Sequence, residues 1–122
     1  MVQEDHGKVN ALGRHFLLDL KDCREDVLDD LEFIKEALST IAQQDEEELL
    51  GQSFYHFTPQ GVSGLVLSSG SHIGIHTWPE YSYAAVDIFT QGNSFDPDKA
   101  TSLIIERLGC RNPSVVELKR GV

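Results

Sequence analysis

The pattern that most restricts the fold lies between residues 52 and 90. Short apolar runs at 52–57, 62–68, 71–77 and 82–90 follow one another, and only a few residues separate each from the next. Parallel neighbours need a crossover of a dozen or more residues, so gaps this short predict antiparallel hairpins. Pro59-Gln60-Gly61 and Ser69-Gly70 carry the residues that turn a chain tightly. Upstream, residues 14–21 read as a strand entering the core through Phe16, Leu17 and Leu18. Val27, Leu31, Ile34, Leu38 and Ile41 then recur at helical spacing opposite an acidic face. That predicts an amphipathic helix over 25–43, with Asp22 as its N-cap. Residues 45–48 read as a solvated acidic loop. Asp96-Pro97 is a helix start, with Asp at the cap and Pro at the first turn. Ala100, Leu103, Ile104 and Leu108 supply that helix's buried face, Gly109 its C-terminal cap, and 114–118 a last strand. The fold class predicted is α+β: one domain, residues 1–122, with an antiparallel sheet and two helices packed on one face.

Charge narrows the partners. Twenty acidic residues against ten basic ones give a net charge of −10. Nucleic acid and anionic membranes attract basic surfaces, so neither is expected as a partner. No apolar run approaches the roughly 20 residues that span a bilayer. The first 13 residues lack the basic start and apolar stretch of a signal peptide, and read as a disordered lead-in to a cytoplasmic protein. Cys23 and Cys110 form no CxxC pair. His72 and His76 sit more than ~12 Å apart along a strand, so no shared metal is expected.

Residues 68–91 concentrate chemistry. The Ser71 hydroxyl is placed to attack the carbonyl of Gly70, and glycine tolerates the backbone strain such an attack needs. The amide would become an ester, and β-elimination would then split the chain. Ser69-Gly70-Ser71 reads equally as a plain hairpin turn. His76 shares a strand face with His72 and Gly74, and an imidazole is suited to removing the α-proton during elimination. Its plainer role is a hydrogen-bonded strand histidine. Ser63 is a small hydroxyl in an apolar strand, a donor to the oxyanion or to a backbone group. Phe57, Trp78 and Tyr81 offer flat faces to a ligand, or pack in the core. Glu80 follows Pro79 in a loop, where a carboxylate can bind ribose hydroxyls or an amine.

As an ordered set these residues resemble one family. The likeness starts at Leu12-Gly13-Arg14-His15, passes Phe57 and Pro59 to Gly64, and continues into Asp96-Pro97. It is densest around His76-Thr77-Trp78-Pro79-Glu80-Tyr81. The chain resembles the prokaryotic S-adenosylmethionine decarboxylase proenzymes, which are pyruvoyl-dependent.

The resemblance implies an α/β sandwich whose protomers pair as a homodimer. It implies a cut between Gly70 and Ser71 into a β chain, 1–70, and an α chain, 71–122. Ser71 then becomes the pyruvoyl group, which forms a Schiff base with the substrate amine. His76 and Ser63 match the processing residues, Phe57 an aromatic that stacks on adenine, and Glu80 a carboxylate near the ribose. The implied activity is decarboxylation of S-adenosylmethionine for spermidine biosynthesis.

The chain departs from the family pattern at two positions. Gly70 replaces a glutamate, whose side chain the rearrangement does not use. Gln91 stands at the position of the cysteine that donates the proton, and an amide cannot act as an acid near neutral pH. That departure leaves two alternatives: a pyruvoyl-dependent arginine or ornithine decarboxylase, and a non-catalytic regulatory paralogue.

Overall fold

The computed structural model describes residues 11–92 and 94–122. Most of the expected lead-in lies outside the described residues. Six strands form one sheet: β1 (Gly13–Lys21), β2 (Leu49–His56), β3 (Val62–Ser68), β4 (Ser71–Trp78), β5 (Tyr83–Gln91) and β6 (Asn112–Arg120). Their order is β2-β3-β4-β5-β1-β6, and every pairing is antiparallel. The hairpins follow from the short turns, while β1 closes between β5 and β6. The helices are α1 (Glu25–Leu28), α2 (Leu31–Ala42) and α3 (Pro97–Arg107).

Alternation sorts the strands into two faces. Phe16, Leu18 and Leu20 of β1, Ile73 and Ile75 of β4, and Val86 and Ile88 of β5 turn inward. They pack with Ile34, Leu38 and Ile41 of α2 and Ala100 and Ile104 of α3 in one core cluster. Burying each such Leu or Ile contributes about 1.5–3 kcal/mol, which holds the helices on that face. The other face is open. Leu17, expected in the core, instead stands there with Leu65, Leu67, Val116 and Leu118, all 39–52% exposed, because alternation turns it away from Phe16 and Leu18. The register puts Leu17 opposite Val116 and His15 opposite Leu118, which assigns the β6 pair to this open face.

Three local expectations are corrected. The helix over 25–43 is broken at Asp29 and Asp30. Asp30 caps α2 by accepting from Phe33 N–H at 3.0 Å, and Asp29 accepts from Gly61 N–H at 2.9 Å. Two aspartates that bind backbone donors end one helix and begin the next. Asp22 does not cap α1. It takes a left-handed conformation with φ 58°, and Arg24 occupies the cap position. At 45–48 the loop is not fully solvated, because Glu47 is buried and receives the Ser69 hydroxyl at 2.6 Å. The helix α3 keeps its predicted start, with the Asp96 carboxylate accepting from Asp98 N–H and Lys99 N–H.

Candidate active site

The β3–β4 hairpin turns through Ser69 and Gly70, and neighbouring segments clamp that turn. Ser69 donates its backbone N–H to Glu48 O at 2.9 Å, and its Oγ accepts from Glu48 N–H at 3.0 Å. The Glu47 carboxylate lies 2.6 Å from where a β-carbon on residue 70 would stand. Glycine therefore fits here because Glu47 fills the space a side chain would take.

Next to the turn, Ser71 is 5% exposed. Its Oγ lies 3.0 Å from Ser68 Oγ, which also accepts from Ser71 N–H at 3.2 Å. The carbonyl before it is held from β5. Gly70 O accepts the Thr90 hydroxyl at 3.1 Å and the Gln91 N–H at 3.3 Å. Two donors on one carbonyl oxygen form the arrangement that stabilises a developing oxyanion. Sequence reading missed Ser68 and Thr90. Both are ordinary strand-end hydroxyls: the register that pairs Ser71 with Thr90 brings Thr90 to this carbonyl, and the β3–β4 turn brings Ser68 to Ser71.

Ser63 and His76 form a second group. They face each other across β3 and β4, with Ser63 Oγ 2.7 Å from His76 Nδ1. Phe57 and Glu80 belong to the same end of the hairpin. Phe57 is half exposed, with its ring edge-on to Tyr55 at 4.8 Å and its N–H bonded to Gly61 O. Glu80 is exposed in the turn Pro79–Tyr81. Trp78, beside them, leans on Tyr83 at 5.4 Å. Thr77 anchors this end by donating to Leu28 O and accepting from Val62 N–H.

Within one chain these two groups do not meet. Ser71 and His76 are five residues apart on β4, about 16 Å at the strand rise. Ser71 also turns inward, whereas His76 stands on the open face. Phe57, Ser63, His76 and Glu80 thus mark one end of the hairpin, and Gly70, Ser71 and Gln91 the other.

A charged cluster lies between them on the open face. Asp87 Oδ2 is 3.0 Å from His15 Nε2 and 3.8 Å from His72 Nε2. His15 Nδ1 accepts from Arg120 Nη1 at 3.2 Å. The His72 ring stacks on Phe89, with centroids 5.7 Å apart. Ser71, His72, Phe89, Gln91, His15 and Arg120 line an open cavity of about 400 Å³. Cys23 and Cys110 are free and are not in its lining. Burial pushes the Cys23 thiol up to about 12. Among the described residues, no group of three or more His, Cys, Asp or Glu side chains is arranged to hold a metal, and no helix is long and apolar enough to cross a membrane.

A family model described as S-adenosylmethionine decarboxylase matches residues 14–121. The class of protein so defined is a carboxy-lyase. The S-adenosylmethionine decarboxylase proenzyme of Thermodesulfovibrio yellowstonii is 46% identical over 112 residues, covering 92% of this chain and 83% of that protein. This chain belongs to the S-adenosylmethionine decarboxylase family. The Pseudomonas aeruginosa proenzyme is 39% identical, with 93% of this chain and 71% of that protein covered. The crystal structure of the adenosylmethionine decarboxylase from Aquifex aeolicus VF5 is similar with a TM-score of 0.85 and 33% identity, over 93% of this chain and 94% of that one. The Trypanosoma brucei AdoMetDC-delta26 monomer, 13% identical, shares the fold over 85% of this chain and 45% of its own, with a TM-score of 0.62.

Proposed function

We propose that this chain is a proenzyme that cuts itself between Gly70 and Ser71 and then decarboxylates S-adenosylmethionine. The observation that carries the reading is the Gly70 carbonyl oxygen, held by the Thr90 hydroxyl and the Gln91 N–H beside the buried Ser71. Ser71 Oγ attacks the Gly70 carbonyl carbon, and the two donors stabilise the oxyanion. The C–N bond breaks and an ester forms. A base removes the Ser71 α-proton, the Cα–H electrons form a double bond to Cβ, and Oγ leaves with the Gly70 acyl group as a carboxylate. Water then replaces nitrogen at the α-carbon, ammonia departs, and residue 71 becomes a pyruvoyl group. The cavity beside Ser71 and the side-chain-free Gly70 fit such a group.

His76 and Ser63 are the proposed processing pair, yet they lie about 16 Å along the strand from Ser71 of their own chain. A second copy resolves this. A two-fold axis between two open faces, perpendicular to β4, reverses the strand direction. The Ser63–His76 end of one copy then lies over the Ser71 end of the other. Such an interface is self-complementary, and the exposed Leu17, Leu65, Leu67, Val116 and Leu118 supply an apolar surface for it. The proposed enzyme is therefore a homodimer with two composite sites.

In each site the pyruvoyl ketone supplies an electrophile for the substrate amine and a sink for the electrons that carbon dioxide leaves behind. The chain's own residues bind and orient the substrate. Phe57 offers its half-exposed ring to adenine, and Glu80 its carboxylate to the ribose hydroxyls. The names of the relatives support S-adenosylmethionine over arginine or ornithine. The product would supply aminopropyl groups for spermidine. Two free thiols accord with a reducing compartment, so the cytoplasm is the proposed location. The test is release of labelled carbon dioxide from carboxyl-labelled S-adenosylmethionine, arginine and ornithine. Release from the first, abolished by Ser71→Ala, is expected. Release from an amino acid in its place would overturn the substrate.

A further inference from the structure

Decarboxylation needs an acid that returns a proton to the substrate carbon, and Gln91 cannot be that acid. Among the side chains lining the Ser71 cavity, the imidazoles, the kind of group that can serve as a general acid, are His15 and His72. His15 is committed. Its Nδ1 accepts from Arg120, so its proton sits on Nε2 and is donated to Asp87. His76, which the proposed dimer brings to Ser71 from the second copy, is engaged through Nδ1 with the Ser63 hydroxyl at 2.7 Å. Tyr83 is bonded to Asp19, which raises its hydroxyl to about 12. His72 differs from all of these. Its Nε2 faces Asp87 at 3.8 Å, its ring is steadied on Phe89, and no hydrogen bond joins its Nδ1 to another described residue. The titratable and charged groups facing it are Asp87 from β5 and, beyond, His15 from β1 and Arg120 from β6.

Resting on the function proposed above, we infer that His72 is the proton donor of this enzyme, with Asp87 as the residue that positions it. The C–C bond to the carboxylate breaks and carbon dioxide leaves. The electron pair returns to the α-carbon and takes the proton from His72 Nδ1. The neutral imidazole recovers a proton from solvent. One proton is consumed for each carbon dioxide released, and no oxidant or reductant is needed.

The test is His72→Asn, read in four ways. Chain cleavage, followed by intact mass, is expected to be unchanged. Affinity for S-adenosylmethionine, measured on the uncleaved Ser71→Ala protein with and without His72→Asn, is expected to be unchanged. kcat is expected to fall about 10²-fold or more with KM little altered. Adding Gln91→Cys to His72→Asn is expected to restore turnover at least tenfold, which a merely structural role for His72 would not allow. Full kcat in His72→Asn, or no recovery with the cysteine, overturns the inference. Should His72→Asn block cleavage, carbethoxylation of the cleaved wild-type enzyme decides. Loss of turnover must then track modification of His72, mapped by peptide mass, and turnover that survives its modification overturns the inference. A wild-type chain that never cuts removes the proposed function and this inference together. A cutting, active enzyme indifferent to His72 removes the inference alone.

Discussion

The Thr90 hydroxyl donates to the Gly70 carbonyl oxygen at 3.1 Å, reaching across from β5 to the turn that precedes Ser71. Thr90→Val keeps the shape of the side chain and removes the donor. Loss of one such donor typically costs a factor of about 10²–10³ in rate. Thr90→Val is expected to slow chain cleavage by about 10²-fold, and Thr90→Ser to retain it, both followed by denaturing mass against time. Equal rates in wild type and Thr90→Val would take Thr90 out of the oxyanion site.

The separation of Ser71 from His76 predicts complementation between copies. Ser71→Ala and His76→Ala homodimers are each expected to stay uncut. Co-expressed, they form a heterodimer in which one site pairs the intact Ser71 of the His76→Ala chain with the intact His76 of the Ser71→Ala chain. Only the His76→Ala chain should then be cleaved. Cleavage of neither chain would contradict the composite site.

Asp29 tethers the segment that presents Phe57. Its carboxylate accepts from Gly61 N–H and pairs with His56, and Gly61 O in turn receives Phe57 N–H. The Gly61 bond first, and His56 second, hold the Asp29 carboxyl below its usual range. A lowered folded pKa makes the carboxylate's contribution complete above about 4, the ordinary carboxylate value, and lost as pH falls through the lower folded value. Asp29→Ala is expected to raise KM for S-adenosylmethionine several-fold with little change in kcat. Its deficit in urea midpoint should be largest near pH 7 and shrink below about pH 4. A deficit independent of pH would mean that the tether does not act through the charge.

The cysteines are predicted to be bystanders. The thiolate is the reactive form, and burial that pushes the Cys23 thiol up to about 12 suppresses it. Iodoacetamide at pH 8 should leave Cys23 unmodified in the folded protein. Cys23→Ala with Cys110→Ser should still cut and turn over. A folded, cleaved but inactive double variant would bring a thiol into the chemistry.

Much of this architecture was legible because local chemistry and tertiary need agree. Asp96-Pro97 starts α3 where its cap bonds are local, and short turns with strict alternation leave little choice but hairpins. The reading failed where a side chain binds something distant in sequence. Helical spacing ran through Asp29 and Asp30, but Gly61 recruits Asp29 from 32 residues away. Glu47 looked solvated because its partner, Ser69, lies in another hairpin. The site divides in the same way. Gly70 and Ser71 announce themselves by adjacency, whereas Thr90 reaches the Gly70 carbonyl only through the register of β4 with β5. Alternation grouped His76 with His72 and Gly74 and so left Ser71 on the opposite face, as the structure has it.

Self-cleavage is read by the intact mass of freshly purified protein under denaturing conditions. Two fragments are expected, residues 1–70 and 71–122, the second lighter by one ammonia than a peptide beginning with serine and blocked to N-terminal sequencing. A single species of 13.6 kDa that persists would contradict it.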